Sequence, residues 1–473
     1  MSEGQVAAFC FGKFMTPWGS VILAAGKGTR MRSRIPKVLH AIAGRQMLLH
    51  VADAVAEVNP RLAVVVVGPE GSEVGQLLEN GVELVTQEER LGTGHALAQS
   101  RPLLEGQVEQ VLVMNGDMPL VSGRTLNRLM EHHLATEAVM TLMTCRTPDA
   151  TGLGRVIRNG RGQFVRITED VEATPEELEI REVCCGVYCF HGPWLWPTLE
   201  GLPAHGNGEY YLTDLAQEAT SNGHRVETLS PEDPQEAIGV NDRQDLARVT
   251  SILYQRARER WMAQGVTLLD PASTFIDSTV EIGIDTTIHP NTTLQGSTRI
   301  GEDCQIGPQS IIIDADIGDQ CRIKASVIEE STLERGVEVG PFNHIRSGSN
   351  LEAGVHLGNY VEVKKSRLGQ GTRVGHFTYL GDATLGANVN IGAGTVTCNY
   401  DGVRKNPTII GEGAFIGCDS MLVAPVTIGP RAVTGAGAVV THDVPPDTLV
   451  VGMPARVVKK DGGELSEGEE GES

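Results

Sequence analysis

The chain has 473 residues, enough for two or three domains, and carries 39 Lys and Arg residues against 60 Asp and Glu residues. The formal charge of −21 argues against a nucleic-acid partner and against an anionic membrane surface, so a phosphate-bearing ligand needs a local basic cluster. The nine cysteines lack disulfide or zinc-site spacing, the chain opens without a basic and apolar leader, and no apolar run could cross a bilayer. We therefore expect a cytoplasmic protein with reduced thiols and no membrane partner.

Residues 19–240 are predicted to form an α/β domain, preceded by an N-terminal extension, residues 1–18, that we expect to be disordered. Apolar runs rich in β-formers alternate here with helical stretches, as in a parallel sheet sandwiched by helices. The predicted strands include residues 21–25, 62–67, 111–114 and 139–143. This half is expected to be Rossmann-like.

The first predicted strand leads directly into a glycine-rich turn, residues 25–30. Gly26 and Gly28 would let backbone N–H groups approach a polyphosphate, and Lys27 and Arg30 would add charge-assisted hydrogen bonds to its oxygens. The turn lacks the spacing of a Walker A motif and the third glycine of a dinucleotide fingerprint. Taken alone it also fits an ordinary tight turn.

Further polar turns strengthen the prediction of a phosphate site. A second lysine, Lys37, follows the glycine-rich turn, and polar segments occur at residues 87–94 and 115–117. Turns at the carboxyl ends of parallel strands converge on one crevice. Asp117 ends an apolar strand, where its carboxylate could hold Mg²⁺, although a helix N-cap or turn aspartate is the simpler alternative.

Residues 241–264 are predicted to form a linker helix that starts at Asn241 as an Asx cap. Apolar residues follow at helical spacing: Leu246, Val249, Ile252, Leu253 and Trp261.

The second half contains a six-residue repeat that neither a helix nor an ordinary strand produces. Every sixth residue is a branched aliphatic at Leu333, Val339, Ile345, Leu351, Leu357 and Val363, and after one shortened step at Leu368, Val374 and Leu380. Hexapeptide repeats predict a left-handed parallel β-helix in which these aliphatics point inward and stack from coil to coil. We assign residues 265–458 to this prism, with hexads that begin loosely near Val280, and expect the acidic tail, residues 459–473, to be disordered.

The two halves together resemble a known enzyme family. The segment LAAGKGTRM at residues 23–31, followed by Pro-Lys at 36–37, is similar to the sugar-1-phosphate nucleotidyltransferases. The prism segments GHFTYLGD at 375–382 and NIGAGT at 390–395 extend the resemblance to bacterial bifunctional N-acetylglucosamine-1-phosphate uridyltransferase and glucosamine-1-phosphate N-acetyltransferase. The resemblance covers residues 19–455.

For the first half, the resemblance implies a site for UTP and the UDP-sugar, with Arg30 and Lys37 neutralising phosphates. Asp117 and Asn241 match the family's Mg²⁺ ligands. Cys184 stands where the family usually has an asparagine that contacts the sugar. The implied nucleotide and sugar positions are Leu23, Ala24, Ala25, Gly26, Lys37, Thr93 and Asn241, with Gln87 and Gly92 at the uracil and Gly154, Glu169 and Cys184 at the sugar.

For the second half, a base must deprotonate the substrate amine, and His376 is the candidate because it follows the inward Val374 by two residues and should project outward. A lone histidine is more often structural, and single cations on a prism are more often a solvated face. The resemblance implies that a set of neighbours holds the sugar phosphate: Arg346, Lys364, Tyr379, Asn390 and Lys405.

The hexads are interrupted between Val396 and Ile409, and solenoid insertions usually mark the binding face. The resemblance implies acetyl-CoA contacts at Ala393, Asn399, Tyr400, Cys418 and Ala436, with Cys418 where serine is usual. It also implies a homotrimer.

The expected function is therefore bifunctional synthesis of UDP-N-acetylglucosamine from acetyl-CoA, glucosamine-1-phosphate and UTP, by way of N-acetylglucosamine-1-phosphate. One alternative is a single-activity nucleotidyltransferase whose β-helix is structural or regulatory. A non-catalytic scaffold is the other. The presence of His376, Lys37 and Asp117 favours the bifunctional enzyme.

Overall fold

The computed structural model describes residues 17–78, 81–206, 208–460 and 463–464. It divides into two compact units, Met1–Ser251 and Ile252–Ser473. The predictions for residues 1–16 and 465–473 lie outside the described residues. The last long strand ends at Lys460, two residues beyond the predicted end of the prism.

The first unit contains a central sheet, a two-stranded ribbon and the helices that cover the sheet. Its strands are β1 (Trp18–Ala24), β2 (Ala41–Ile42), β3 (Arg45–Gln46), β4 (Leu62–Val67), β5 (Val82–Thr86), β6 (Gln110–Asn115), β7 (Met140–Arg146), β8 (Arg155–Arg158), β9 (Phe164–Thr168), β10 (Glu182–His191) and β11 (Val226–Leu229). Its α-helices are α1 (Met47–Glu57), α2 (Ser72–Gly75), α3 (Gly92–Ala98), α4 (Arg101–Leu104), α5 (Gly123–Thr136), α6 (Pro175–Leu178), α7 (Gly192–Glu200) and α8 (Asp214–Ser221), and α9 (Arg243–Ala263) follows. Short 3-10 helices lie at Thr29–Met31, Lys37–Leu39 and Pro234–Ala237.

The central sheet has the order β11-β7-β10-β6-β1-β4-β5, and the predicted Rossmann-like α/β fold is confirmed. β1 pairs in parallel with β4 and β6, but β10 runs antiparallel to β6 and β7. The sheet is therefore mixed and not wholly parallel as expected. β10 also pairs antiparallel with β8, the first strand of the hairpin that β8 and β9 form between β7 and β10 in the chain.

Both faces of this sheet are buried, which explains the continuous apolar strands. In β1, Val21 and Leu23 belong to the core on one face, whereas Ile22 and Ala24 belong to the core on the other. Helices α3, α7 and α8 contribute to the first core, and α1 and α5 to the second. A strand that is covered on both sides cannot alternate polar and apolar residues.

In the structure, helix α9 spans Arg243–Ala263, and its cap is not Asn241. The side chain of Asp242 accepts the backbone N–H groups of Gln244 and Asp245, at 2.8 and 3.0 Å, and so caps the helix. The amide oxygen of Asn241 instead accepts a hydrogen bond from Arg30 at 2.8 Å. The sequence pattern could not distinguish two adjacent residues that both favour N-caps.

The second unit is a parallel β-helix, after a 3-10 helix at Pro271–Ser273. Each coil contributes short strands to three parallel stacks, which form the three faces of the prism. The strands are β12 (Thr267–Leu268), β13 (Phe275–Ile276), β14 (Glu281–Ile282), β15 (Thr287–Ile288), β16 (Thr293–Gln295), β17 (Arg299–Ile300), β18 (Gln305–Ile306), β19 (Ile311–Ile313), β20 (Asp316–Ile317), β21 (Arg322–Ile323), β22 (Val327–Glu329), β23 (Thr332–Leu333), β24 (Glu338–Val339), β25 (His344–Arg346), β26 (Asn350–Leu351), β27 (His356–Lys364), β28 (Arg367–Leu368), β29 (Arg373–Gly381), β30 (Ala383–Leu385), β31 (Asn390–Ile391), β32 (Val396–Cys398), β33 (Thr408–Ile410), β34 (Phe415–Ile416), β35 (Met421–Val423), β36 (Val426–Ile428), β37 (Val433–Thr434), β38 (Val439–Val440), β39 (Thr448–Gly452), β40 (Ala455–Lys460) and β41 (Gly463–Glu464).

The predicted inward aliphatics are all buried in a single core. The hexads also start earlier than expected, because an unbroken six-residue spacing of buried residues runs from Ile276 to Ile312. Val280 is buried as well, but it lies two residues before the inward position Ile282. The early coils therefore have a regular six-residue spacing, where the sequence predicts only a loose one.

The coil that contains the predicted insertion is the longest. Leu385 pairs with Ile410, twenty-five residues further on, whereas Ile410 pairs with Ile428 after only eighteen. The register is the same on both sides of the insertion. The extra residues therefore lie outside the stacked strands, as the interrupted hexads predict.

The prism core predicts that two neighbouring side chains of β18 contribute very differently to the free energy of unfolding. Ile306 is completely buried and stacks between Ile288 and Ile323, so Ile306→Ala should lower the free energy of unfolding by about 2–5 kcal/mol. Gln305→Ala, at the exposed neighbouring position, should change it by less than about 0.5 kcal/mol. Urea unfolding followed by circular dichroism measures both, and equal effects would contradict the inward assignment.

Candidate functional site

A crevice of about 580 Å³ opens at the carboxyl end of β1 in the first unit. Its walls contain eleven of the residues predicted from the sequence: Leu23, Ala24, Ala25, Gly26, Lys27, Lys37, Gln87, Gly92, Thr93, Asp117 and Glu169. The turns after β1, β5 and β6 lie at one edge of the sheet because these strands and β4 are paired in parallel, as expected from the pairing rule.

The glycine-rich turn is shaped by its contact with Lys37. Gly28 has a φ of +60°, and a Cβ atom there would lie 2.6 Å from the Cβ of Lys37. Only glycine allows this approach, which holds the lysine beside the turn. A Cβ added at Gly26 would meet no atom within 4 Å, so the space beside this residue is open to a ligand.

The two predicted metal ligands are close together, and each accepts from a cationic side chain. Lys37 forms an ion pair with Asp117, and Arg30 donates to the amide oxygen of Asn241 at 2.8 Å. The backbone N–H of Val240 donates to the carbonyl of Asp117 at 2.9 Å, which ties the segment before Asn241 to the end of β6. One carboxylate and one amide oxygen fit Mg²⁺, which prefers oxygen ligands and takes several of them from phosphates and water. Among the residues that the structure describes, no group of three or more His, Cys, Asp or Glu side chains is arranged to hold a metal by itself.

Gln87 and Gly92 form the part of the crevice that the resemblance assigns to the uracil. The buried amide of Gln87 donates to the carbonyl of Gly92 at 3.1 Å and contacts Nδ1 of His95 at 3.0 Å. Gly92 has a φ of +93°, and a Cβ atom there would lie 2.6 Å from the carbonyl oxygen of Tyr210. Glycine is therefore required by both backbone geometry and close packing.

Glu169 lies on the wall assigned to the sugar. The hydroxyl of Thr213 donates to its carboxylate at 2.7 Å, and burial raises the pKa of Glu169 above its ordinary value. A Cβ atom at Gly154 would lie 3.6 Å from the Glu169 carboxylate, so this glycine leaves room beside it. The backbone N–H of Cys184 donates to the carbonyl of Gly154 at 2.9 Å.

Cys184 itself is a buried thiol that donates to the hydroxyl of Tyr188 at 3.3 Å. Burial raises the pKa of this thiol to about 11. Four predicted residues do not line the crevice: Arg30, Gly154, Cys184 and Asn241. They are bonded in two pairs, Arg30 with Asn241 and Cys184 with Gly154.

Arg90, Glu209 and Tyr211 line the crevice but were not predicted from the sequence. Arg90 donates from Nε to the carbonyl of Ala25 at 2.7 Å and so braces the glycine-rich turn. The signal for Arg90 was its position between Gln87 and Gly92. The signal for the other two was an aromatic pair, 210–211, in a polar segment.

In the second unit, strand pairing gathers a cationic cluster. Arg346 pairs with Lys364 in adjacent coils, and Glu362 pairs with Tyr379 in the next. Arg346 donates to the Glu362 carboxylate at 2.7 Å. The positive charges of Arg346 and Lys405 lower the pKa of Lys364, so three predicted cations lie close enough to repel one another. An anionic ligand would relieve this repulsion.

His376 is exposed on β29, as expected from its place after Val374. Asn359 lies in register with it on β27, and its amide oxygen is hydrogen-bonded to Nδ1 of His376. This contact orients the ring. Asn390 lies in register with Arg373 and with Phe415.

The inserted loop and one exposed row of residues complete the predicted acetyl-CoA region. Asn399 donates to the Asp382 carboxylate at 2.6 Å, and Tyr400 is 61% exposed. The other three predicted residues occupy equivalent corners of successive coils, because Asp419 N–H donates to the carbonyl of Ala393 and Gly437 N–H donates to that of Cys418. The row is Ala393, Cys418 and Ala436.

An exposed stack of three aromatic rings was not predicted from the sequence. Phe342, Tyr360 and Phe377 lie one above another on successive coils, with ring centroids 5.4 and 5.2 Å apart. Their exposed fractions are 55%, 50% and 63%, and they adjoin His376. The signal was available, since each ring follows a glycine and one further residue at the interval of a coil.

Comparisons with known proteins agree with this division. The model of the MobA-like NTP transferase domain matches residues 20–207, and that of the bacterial transferase hexapeptide (six repeats) matches residues 279–314 and 407–442. The bifunctional protein GlmU of Exiguobacterium sibiricum is 43% identical over 443 residues, which are 93% of this chain and 99% of that protein. The chain belongs to the GlmU family.

Other members of the GlmU family match equally well. The bifunctional protein GlmU of Carboxydothermus hydrogenoformans is 44% identical over 93% of this chain and 99% of its own length. That of Fervidobacterium nodosum is 47% identical over 93% and 96% of the two lengths. This member of the family is therefore a bifunctional enzyme with a nucleotidyltransferase domain and a hexapeptide transferase domain. No helix among the described residues combines the length and apolar character needed to span a membrane.

The thiols that depart from the family pattern should differ in reactivity. Cys184 is buried with a raised pKa and Cys418 is exposed, so iodoacetamide at about pH 8 should alkylate Cys418 and spare Cys184 in the native protein. Both should react in denaturant. Peptide mass spectrometry measures each site, with Cys418→Ser as the control, and rapid native alkylation of Cys184 would contradict its burial.

Proposed function

We propose that the chain makes UDP-N-acetylglucosamine in two reactions. The prism transfers acetyl from acetyl-CoA to glucosamine-1-phosphate, and the crevice transfers uridylyl from UTP to the resulting N-acetylglucosamine-1-phosphate with release of pyrophosphate. The observation that carries this proposal is the pairing of His376 with Asn359 on the prism that also holds the cationic cluster. A purely structural prism needs neither. The product serves peptidoglycan and lipopolysaccharide synthesis, and the free thiols among the described cysteines favour a cytoplasmic enzyme.

His376 is the general base of acetyl transfer. With Nδ1 donating to Asn359, Nε2 is the acceptor that takes a proton from the substrate ammonium, and only the free amine attacks the thioester. Arg346, Lys364 and Lys405 hold the sugar phosphate, with Tyr379 and Asn390 beside them. Ala393, Cys418, Ala436 and the residues Asn399 and Tyr400 of the inserted loop bind the coenzyme.

In the crevice, an oxygen of the sugar phosphate attacks the α-phosphorus of UTP in line and pyrophosphate leaves. No protein nucleophile is required, so the protein acts by positioning and charge neutralisation. Lys37 and Arg30 neutralise the phosphates, and Glu169 faces the sugar, with Gly154 and Cys184 supporting this wall.

Asp117 and Asn241 would hold Mg²⁺, whose chemistry is to neutralise and orient the phosphates of UTP. Their two oxygen atoms suit this cation, and both oxygens already accept from positively charged side chains. Lys37 and Arg30 would then turn from these oxygens to the phosphates.

The two activities should be separable by mutation. His376→Ala should abolish acetyl transfer, a loss of at least about 100-fold, because a general base typically contributes that much or more. UTP-dependent pyrophosphate release should remain intact. A thiol-release assay with acetyl-CoA and glucosamine-1-phosphate measures the first activity, and a coupled phosphate assay measures the second.

Two further variants serve as controls for that experiment. His356→Ala removes a histidine of the neighbouring strand β27 that is paired with Glu338, and this change should leave acetyl transfer unchanged. Asp117→Asn should impair pyrophosphate release and spare acetyl transfer. Absence of acetyl transfer in the wild-type chain would instead support a single-activity nucleotidyltransferase, and loss of both activities in His376→Ala would mean that this change disrupts folding.

The enzyme is also proposed to be a homotrimer whose prism sites are completed by neighbouring chains. Three stacked rings, each at least half exposed beside His376, are an apolar surface suited to burial against another copy. Light scattering on the purified chain should give three times the mass of 50.6 kDa. Phe377→Ser should weaken both assembly and acetyl transfer, and a monomeric wild-type enzyme with full activity would contradict the proposal.

A further inference from the structure

His205 in the first unit lies between two carboxylates. Its Nδ1 is 2.8 Å from a carboxylate oxygen of Glu172, and its Nε2 is 2.7 Å from one of Asp214. The ring also packs on Tyr211, with the two centroids 4.3 Å apart. The sequence motifs did not single out this histidine, and none of the reactions described above uses it.

The geometry requires the charged form of the ring. An ionised carboxylate can only accept hydrogen bonds, so both ring nitrogens must donate if both contacts are to be hydrogen bonds. A neutral imidazole has one N–H and would turn a lone pair towards the other carboxylate. Consistent with this, the hydrogen bond to Asp214 and then that to Glu172 raise the pKa of His205.

Both contacts of His205 lead to Glu169, the carboxylate of the sugar wall. The backbone N–H of Glu172 donates to the carbonyl of Glu169 at 2.9 Å. Asp214 follows Thr213, whose hydroxyl donates to the Glu169 carboxylate at 2.7 Å. His205 thus joins the two segments that fix the backbone and the side chain of Glu169.

The stretch of chain before Asp214, residues 210–212, also contacts the base-binding turn at residues 91–94. The backbone N–H of Tyr210 donates to the carbonyl of Leu91, and Gly94 N–H donates to that of Tyr210, each at 2.8 Å. Leu212 N–H donates to the hydroxyl of Thr93 at 3.0 Å. Residues 210–212 are therefore anchored at the base turn, and His205, through its bond to Asp214, anchors the same stretch of chain to the sugar wall.

We propose that protonated His205 is a positioning residue for the uridylyl transfer, holding Glu169 in place so that the affinity for the sugar phosphate depends on the charge of this histidine. The inference rests on the proposed function, which assigns Glu169 to the sugar. The charged groups that face the ring are Glu172, Asp214 and, further away, Glu169; Tyr211 covers it. Since all three carboxylates stabilise the imidazolium, the clamp is complete at low pH and is lost as the pH rises through the raised pKa of His205.

The test compares the wild-type enzyme with His205→Arg and His205→Asn from about pH 6 to about pH 9, on either side of the histidine range. Arginine stays charged and can donate to two carboxylates at every pH, whereas asparagine cannot replace both bonds. We expect the KM for N-acetylglucosamine-1-phosphate of the wild type to match that of His205→Arg at low pH. At high pH it should approach that of His205→Asn, about three- to tenfold higher. The ratio of the wild-type KM to the KM of His205→Arg at each pH cancels the ionisation of the substrate itself.

Three readouts separate positioning from a structural role. The KM for UTP and the rate of acetyl transfer should not follow the same pH profile. His224→Asn, a change in an exposed histidine of this unit that packs edge-on to Trp194, should behave as the wild type. In the wild type, the pKa of His205 measured by NMR should rise on addition of N-acetylglucosamine-1-phosphate, because binding that needs the charged form must favour it.

The inference is overturned if the wild type and His205→Arg have the same KM profile, or if the sugar phosphate leaves the pKa of His205 unchanged. The NMR measurement needs no variant and so stands even if a substitution fails to fold. If Glu169→Gln raises the KM for N-acetylglucosamine-1-phosphate while neither His205 variant changes it, this inference is wrong and the proposed function stands. A wild-type chain that makes no UDP-N-acetylglucosamine would instead overturn the proposed function.

Discussion

Parallel pairing of strands brings equivalent positions of successive strands to the same edge or corner, and both units place their functional residues in this way. In the first unit, β6, β1, β4 and β5 are paired in parallel in this order, so the turns that contain Gly26, Gln87 and Asp117 meet at one end of the sheet. In the second, pairing of β27 with β29 sets Asn359 beside His376. The positions of these side chains depend on backbone register more than on local sequence.

Charge compensation is the second theme that the two sites share. The chain is strongly acidic, yet each site contains cations held close to carboxylates, Lys37 by Asp117 and Arg346 by Glu362. Removing one partner from a half-buried pair is costly, because the remaining charge is left without compensation. A phosphate can replace the carboxylate as partner of the cation, so the cation keeps a negative partner when a ligand binds. The same carboxylates keep the cations in place before the substrate arrives.

Sequence reasoning succeeded where a pattern is repeated or a motif is long. The hexads predicted the prism and its inward residues because each aliphatic occupies the same environment in every coil. It failed where the decision depends on a distant partner. Asn241 and Asp242 have the same capping propensity, and only the contact with Arg30 shows why Asn241 is not the cap. Likewise, nothing local marks His205, since Glu172 and Asp214 are separated from it in the chain and meet it only in the folded unit.

The coil with the inserted loop also bears on how such a prism can change during evolution. The strands on either side, β30, β33 and β36, keep the same inward register although one connection is much longer than the next. The cost of lengthening a surface loop grows only slowly with its length. Corners of the prism can therefore acquire or lose segments such as the one that contains Tyr400 while the core residues stay unchanged. The length of the loop at this corner and the stability of the stacked core can thus change independently of each other.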